Sequence, residues 1–221
     1  MDTQAARKAM VDSQVRVNDV TNRALLAAML QVPRESFCQP DRAYSAYNEI
    51  EVPAANDRSL MLARDLSKLL MVAEPTAGET ALVMSGGYAA GVLSAMGLNV
   101  TLQDSSADAL AVVHSVLDAD GVVCRQAPLD APADSGYDLI VSEAAVPGRM
   151  ERWLDALAPG GRLAVVERQG PVGRAVLYVR GRDGFSRAEM FNAAPPLLAE
   201  LTPSPHSHFR GSAAVPVCEK T

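Results

Sequence analysis

The stretch Thr80-Ala81-Leu82-Val83-Met84-Ser85-Gly86-Gly87-Tyr88-Ala89-Ala90-Gly91-Val92-Leu93 decides the fold. It opens as an apolar run of strand length, breaks at Ser-Gly-Gly and resumes as small, apolar helix formers to Met96. Strand, tight glycine turn and helix in succession make the first βα unit of a nucleotide-binding sheet. The amides of Gly87 and Tyr88 then point into the crevice above that strand. Val100-Thr101-Leu102-Gln103-Asp104 follows as a second apolar strand ending in a carboxylate. An acid there is placed to accept from both hydroxyls of a ribose. The plainer alternative is an ordinary strand-to-helix turn, with Asp104 as the N-cap of a helix starting near Ala107.

Downstream, the alternation of strand and helix continues. A helix is expected over 107–117, a strand over 121–126 and a loop with two prolines over 127–136. A strand over 137–142, a helix over 150–157, a sharp turn at Pro159-Gly160-Gly161 and a strand over 162–166 come next. This order predicts a parallel sheet covered on both faces by helices. Residues 175–180 and 185–192, joined by a turn over 181–184, read as a closing antiparallel hairpin. Upstream, residues 5–31 read as helix, with Asp19 or Thr21 capping a second helix over 22–31 that Pro33 stops. An irregular segment runs to Arg58, followed by a helix over 60–70 with Leu62, Leu66, Leu69 and Leu70 on its apolar face.

With 221 residues, 48% of them hydrophobic, the chain suits one globular domain with a sizeable core and an added helical segment. We divide it into an N-terminal helical segment with a loop (1–58), a main α/β domain (59–200) and a tail (201–221). The formal charge of −6, the lack of a basic stripe and the few aromatics argue against a nucleic-acid surface. No apolar run approaches the ~20 residues that span a bilayer, and the first residues do not pattern as a signal peptide. Cys38, Cys124 and Cys218 are widely spaced with no C-x-x-C, which fits a reducing cytoplasm and no cysteine-held metal. His206 and His208, on a Pro-rich tail, read as surface residues rather than metal ligands. His114, among valines, reads as a partly buried histidine, and Trp153 as core. Arg58 can attract a carboxylate, though a solvated loop charge is the plainer expectation.

Several motifs in order carry a resemblance. Met10-Val11-x-x-Gln14, Leu26-x-x-Met29-x-x-Val32-Pro33-Arg34-Glu35-x-Phe37, Gly87-Tyr88-x-Ala90-x-Val92-Leu93, Tyr137-Asp138-x-Ile140-Val141, Pro159-Gly160-Gly161-Arg162-Leu163 and Phe191-Asn192-Ala193-x-x-Pro196-x-Leu198 run from about residue 8 to about 200. Together they resemble the protein-L-isoaspartate O-methyltransferase family, within the class I S-adenosylmethionine-dependent methyltransferases. The resemblance implies a doubly wound, mostly parallel seven-stranded sheet with a C-terminal antiparallel hairpin. It implies S-adenosylmethionine as cofactor and a carboxylate on a protein or small molecule as methyl acceptor. It assigns Ser85, Gly86, Gly87, Tyr88, Asp104, Ser105, Gln126 and Glu143 to cofactor binding and Ser59 to the substrate side. Glu143, ending the fourth strand of the alternating pattern, faces the crevice by topology, to touch substrate or to cap the next segment.

The chain also departs from the family. Ala81 stands at the family's acidic position on the first strand, and Val83 and Ser85 stand at its first two turn glycines. Met61 replaces a substrate-loop Ser and cannot supply its hydrogen bond, so packing is the expected role. Two function classes follow: a methyltransferase acting on a carboxylate, or a degenerate member acting as a binding or assembly module. A nicotinamide-dependent oxidoreductase is disfavoured by the terminal hairpin and the P-G-G-R-L turn.

Overall fold

The computed structural model describes residues 2–202. The tail expected to carry His206, His208 and Cys218 lies outside them from residue 203 on. A seven-stranded sheet dominates: β3 (Thr80–Met84), β4 (Asn99–Asp104), β5 (Val123–Gln126), β6 (Tyr137–Val146), β7 (Leu157–Glu167), β8 (Gly173–Arg180) and β9 (Phe185–Ala193). The spatial order is β5-β4-β3-β6-β7-β8-β9, with β3 to β7 parallel and β8 and β9 antiparallel. The chain winds outward from β3 to β5, then returns to lay β6 against the other side of β3. That reversal opens a crevice beyond the carboxyl ends of β3, β4 and β6, the usual ligand position in such sheets.

The sheet's pleat sorts its side chains. Ala81 and Val83 on β3, Leu139 and Val141 on β6, and Ala164 and Val166 on β7 join one buried cluster. Leu82, Met84, Ile140, Leu163 and Val165 join another, around Trp153 and Leu154. Neighbours in sequence face opposite sides because the strand period is two. The first cluster also takes in α1 (Thr3–Met10) through Met10, α2 (Arg23–Gln31) through Leu25 and Met29, α3 (Ala63–Ala73) through Leu66 and Leu70, α4 (Gly87–Ala95) and α5 (Ala107–Ala119). The N-terminal segment therefore shares a core with the sheet. α6 (Glu151–Asp155) covers the second face, and Trp153 donates from Nε1 to the Leu129 carbonyl at 3.0 Å.

Several local expectations shift. The expected helix over 5–31 breaks: α1 passes into a π turn at Val11–Val15 and a short 3-10 turn, ended by Asp19 in the left-handed region. The cap of α2 is Asn22, whose side chain accepts from the Leu25 amide at 3.1 Å, rather than Asp19 or Thr21. The helix expected over 60–70 starts at Ala63, because β1 (Val52–Pro53) and β2 (Ser59–Leu60) claim Leu60 for a small antiparallel hairpin. The helix expected over 150–157 is only α6, since β7 already begins at Leu157 and absorbs the Pro-Gly-Gly turn. His114 is exposed rather than partly buried, because Val113 and Leu117 take the inward positions of α5.

Candidate active site

The crevice is built from three strand ends and one helix start. After Met84 the chain turns through Ser85 (φ 59°) and Gly86 (φ 126°), both left-handed, and α4 begins at Gly87. The Ser85 amide donates to the Gln103 carbonyl at 2.9 Å and its carbonyl accepts from the Glu143 amide at 3.2 Å. The turn is thereby pinned to both neighbouring strands. At the end of β4, Asp104 is buried and its Oδ1 accepts from the Ser106 amide at 2.9 Å. The N-cap of α5 is Ser106, whose hydroxyl accepts from the Ala109 amide at 3.1 Å. Asp104 does not serve as that cap.

A cavity of about 30 Å³ lies between these elements, lined among others by Ser59, Ser85, Gly86, Gly87, Asp104 and Glu143. The structure thus gathers six of the sequence-assigned residues around one space. It places the Tyr88 side chain elsewhere, fully buried edge-on to Phe37 with ring centroids 5.6 Å apart. Ser105 and Gln126 line an adjacent open hollow with Glu200, where Gln126 donates to the Ser105 carbonyl at 3.2 Å. Met61 is buried as packing, as its side chain requires.

Glu143 reaches the crevice through an irregularity. Val141 pairs with Ala164 and Ala145 with Val166, so β6 advances four residues (141 to 145) where β7 advances two (164 to 166). The surplus forms a bulge and re-aims the side chain between. The Glu143 carboxylate accepts from the Ala89 amide at 2.6 Å and the Met61 amide at 3.4 Å. Burial pushes its carboxyl above the usual range, against the pull of the Ala89 amide and the positive charge of Arg34.

Arg58 departs from the sequence expectation of a solvated loop charge. Its side chain is only 10% exposed, and its fork grips Asp104 through Nε to Oδ2 at 3.0 Å and Nη2 to Oδ1 at 2.8 Å. Nη2 also donates to Ser105 Oγ at 3.1 Å and Glu200 Oε1 at 2.8 Å. Burial alone would lower the Arg58 pKa; the hydrogen bonds and charges of Asp104 and Glu200 more than reverse this. A contact spanning residues 58, 104 and 200 leaves no local signal in a sequence.

Two other buried polar residues escaped the sequence reading. Arg34, 1% exposed, donates to the carbonyls of Ala46 at 2.8 Å and Met61 at 2.6 Å, and its guanidinium lies 4.7 Å from the Tyr88 ring centroid. Gln103 holds the loop after β5 by donating to the Pro128 and Ala131 carbonyls and accepting from the Ala133 amide. Their signal was a polar residue inside an otherwise apolar or motif-bearing run. Among the described residues no group of three or more His, Cys, Asp or Glu could hold a metal.

No family model matches the chain. A protein-L-isoaspartate O-methyltransferase of Xanthomonas euvesicatoria pv. vesicatoria is 30% identical over 194 residues, 83% of this chain and 84% of the relative. Protein-L-isoaspartate O-methyltransferase 1 of Pelobacter propionicus is 26% identical over 199 residues, covering 83% and 90%. Among solved structures, a protein-L-isoaspartate O-methyltransferase superposes with a TM-score of 0.73 at 18% identity, over 88% of this chain and 67% of that one. A putative one from Plasmodium falciparum, in complex with S-adenosyl-L-homocysteine, gives 0.74 at 12% identity, over 90% and 99%. The motif order, the seven-stranded topology and these relatives agree: the chain belongs to the protein-L-isoaspartate O-methyltransferase family.

Proposed function

We propose that this chain is an S-adenosylmethionine-dependent methyltransferase that methylates a carboxylate on a protein or small molecule. The observation that carries the reading is the convergence of the glycine turn, Asp104 and Ser59 on one crevice at the reversal point of the sheet. The recognition chemistry fits the donor. A carboxylate at the end of β4 can accept from a ribose diol. Amides at the start of α4 can hold the donor's own carboxylate. Leu102, Leu110 and Val113 offer apolar wall for a base.

When bound, the donor supplies an electrophilic methyl on a sulfonium: the oxygen–carbon bond forms as the carbon–sulfur bond breaks, the sulfur keeps the pair, and no proton moves. The protein is therefore asked for alignment and for exclusion of water, not for acid–base catalysis. This accounts for a site with no nucleophile–base pair. Ser59, half-buried on the hairpin at the crevice wall, is the hydroxyl available to orient the acceptor.

A specific observation favours a second reading, a degenerate member that binds without catalysing. The crevice offers about 30 Å³, while ligand pockets run from roughly 300 Å³ upward. Incubation with radiolabelled S-adenosylmethionine at millimolar concentration and an isoaspartyl peptide separates the two. The enzyme reading predicts label released by mild base as methanol. No base-labile label, with the protein shown to be folded, supports the degenerate reading.

A further inference from the structure

Two recognition points of the crevice, the Ala89 amide near the start of α4 and the Asp104 carboxylate, are already satisfied by side chains of the same protein. The amide at the start of α4 has a carboxylate on it, that of Glu143, at 2.6 Å. The Glu143 methylenes lie against Gly86, where a Cβ would fall 2.5 Å from Glu143 Cγ and 2.7 Å from its Cβ. That is the face along which a ligand would approach the glycine backbone. At the other end, Asp104 holds a fork of two donors from Arg58 in place of two hydroxyls. Glu200 closes behind it, accepting from Arg58 Nη2 and from Ser105 Oγ, both at 2.8 Å.

The part that carries Arg58 is suited to move. β1 and β2 are two residues each, and the tip between them places Asn56 (φ 49°) and Asp57 (φ 58°) in the left-handed region consecutively. Such residues store a modest strain that opening can release. Beside the Arg58 side-chain contacts, four bonds tie the hairpin tip to the start of α5 and to itself: Asn56 to Ser106 and Asp108, the Ala54 amide to the Arg58 carbonyl at 2.7 Å and the Arg58 amide to the Ala55 carbonyl at 3.0 Å.

We propose that Arg58 and Glu143 act as internal stand-ins for the donor, holding the crevice shut in the resting protein. Arg58 takes the place of the ribose hydroxyls and Glu143 that of the donor's carboxylate. Donor uptake requires the Val52–Leu60 hairpin to withdraw Arg58 and Glu143 to leave the α4 amide. This rests on the crevice being the donor site.

Calorimetric titration with S-adenosylhomocysteine and with adenosine tests it, on the full chain and on Arg58→Ser, Glu143→Ala and the double variant, each checked for folding by thermal melt. The expected result is weak binding to the unaltered chain and a gain of at least tenfold for S-adenosylhomocysteine in either single variant, larger in the double. Adenosine, which has no carboxylate, gains from Arg58→Ser and not from Glu143→Ala. Micromolar binding to the unaltered chain that neither substitution tightens overturns the proposal, as does failure of the folded double variant to bind at millimolar ligand. A gain in binding with no methyl transfer by any variant would leave the stand-ins intact and refute the methyltransferase reading. Transfer by the unaltered chain with no gain in the variants would do the reverse.

Discussion

Gly86 and Glu143 are a matched pair, and substitution at either reports on the other. Gly86→Ala adds a Cβ into the Glu143 methylenes and fixes it at φ 126°, a conformation that side chains rarely adopt. Overpacking and strain together are expected to cost about 2–5 kcal/mol. In a Glu143→Gly background the collision with Cβ, Cγ and Cδ disappears and only the backbone cost remains, about 1–3 kcal/mol. A double-mutant cycle by urea denaturation reads the difference; equal costs in both backgrounds would show that the two residues do not touch. Tyr88 makes the opposite case: its hydroxyl is buried with no hydrogen-bond partner among the described residues. Tyr88→Phe is therefore expected to be neutral or stabilising by up to about 1–2 kcal/mol, since it removes a desolvated group that nothing repays. A loss beyond that in the same denaturation measurement would reveal a partner for the hydroxyl. Sequence alone gave Asp104 and the glycine turn their places, because strand ends and turns are locally encoded. It misjudged Arg58, because a lone arginine in a loop looks the same whether it faces water or a carboxylate 46 residues away.

At the scale of elements, the motif Pro159-Gly160-Gly161-Arg162-Leu163 turns out to be a clamp. Arg162 on β7 donates to the Ala73 carbonyl at 2.7 Å and the Glu74 carbonyl at 3.2 Å at the end of α3, and to Glu79 at 2.7 Å. It caps the negative end of that helix and ties it to the sheet. Arg162→Ala is expected to cost about 1–3 kcal/mol, as a partly buried charged hydrogen-bond donor does. Arg162→Lys recovers only part, because an ammonium cannot reproduce the planar fork. Thermal melts of both variants check this, and equal stability of the two would contradict the fork's role. Strands and the longer helices were readable from periodicity. Their ends were less so: Leu60 fits a helix face but pairs with Val52, because tertiary hairpin pairing outweighs a weak local preference. The Glu143 bulge was unreadable, since the surplus in β6 is defined only against the register of β7.

For the whole molecule, the buried carboxylates set a pH response. Burial raises the pKa of Glu143 and of Asp65 above their ordinary values. The folded state then holds these protons more tightly than the unfolded one, so stability falls as pH rises from the ordinary carboxylate range through the folded values. Glu79 acts in the other direction: despite its burial, the hydrogen bonds from Arg162 and the Thr76 amide lower its pKa, giving stability that is lost at acid pH. Glu143→Gln is expected to remove the falling limb due to that residue. Urea midpoints from pH 4 to 8 should then drop less with pH in the variant; a steeper drop would contradict the assignment.

Backbone amide chemical shifts locate the donor in the crevice residue by residue. On titration of Arg58→Ser with S-adenosylhomocysteine, saturating shifts are expected at the amides of Gly86 to Ala89 and Asp104 to Ser106. Those amides standing still at millimolar ligand in the folded variant, or shifts confined to another surface, would contradict that placement.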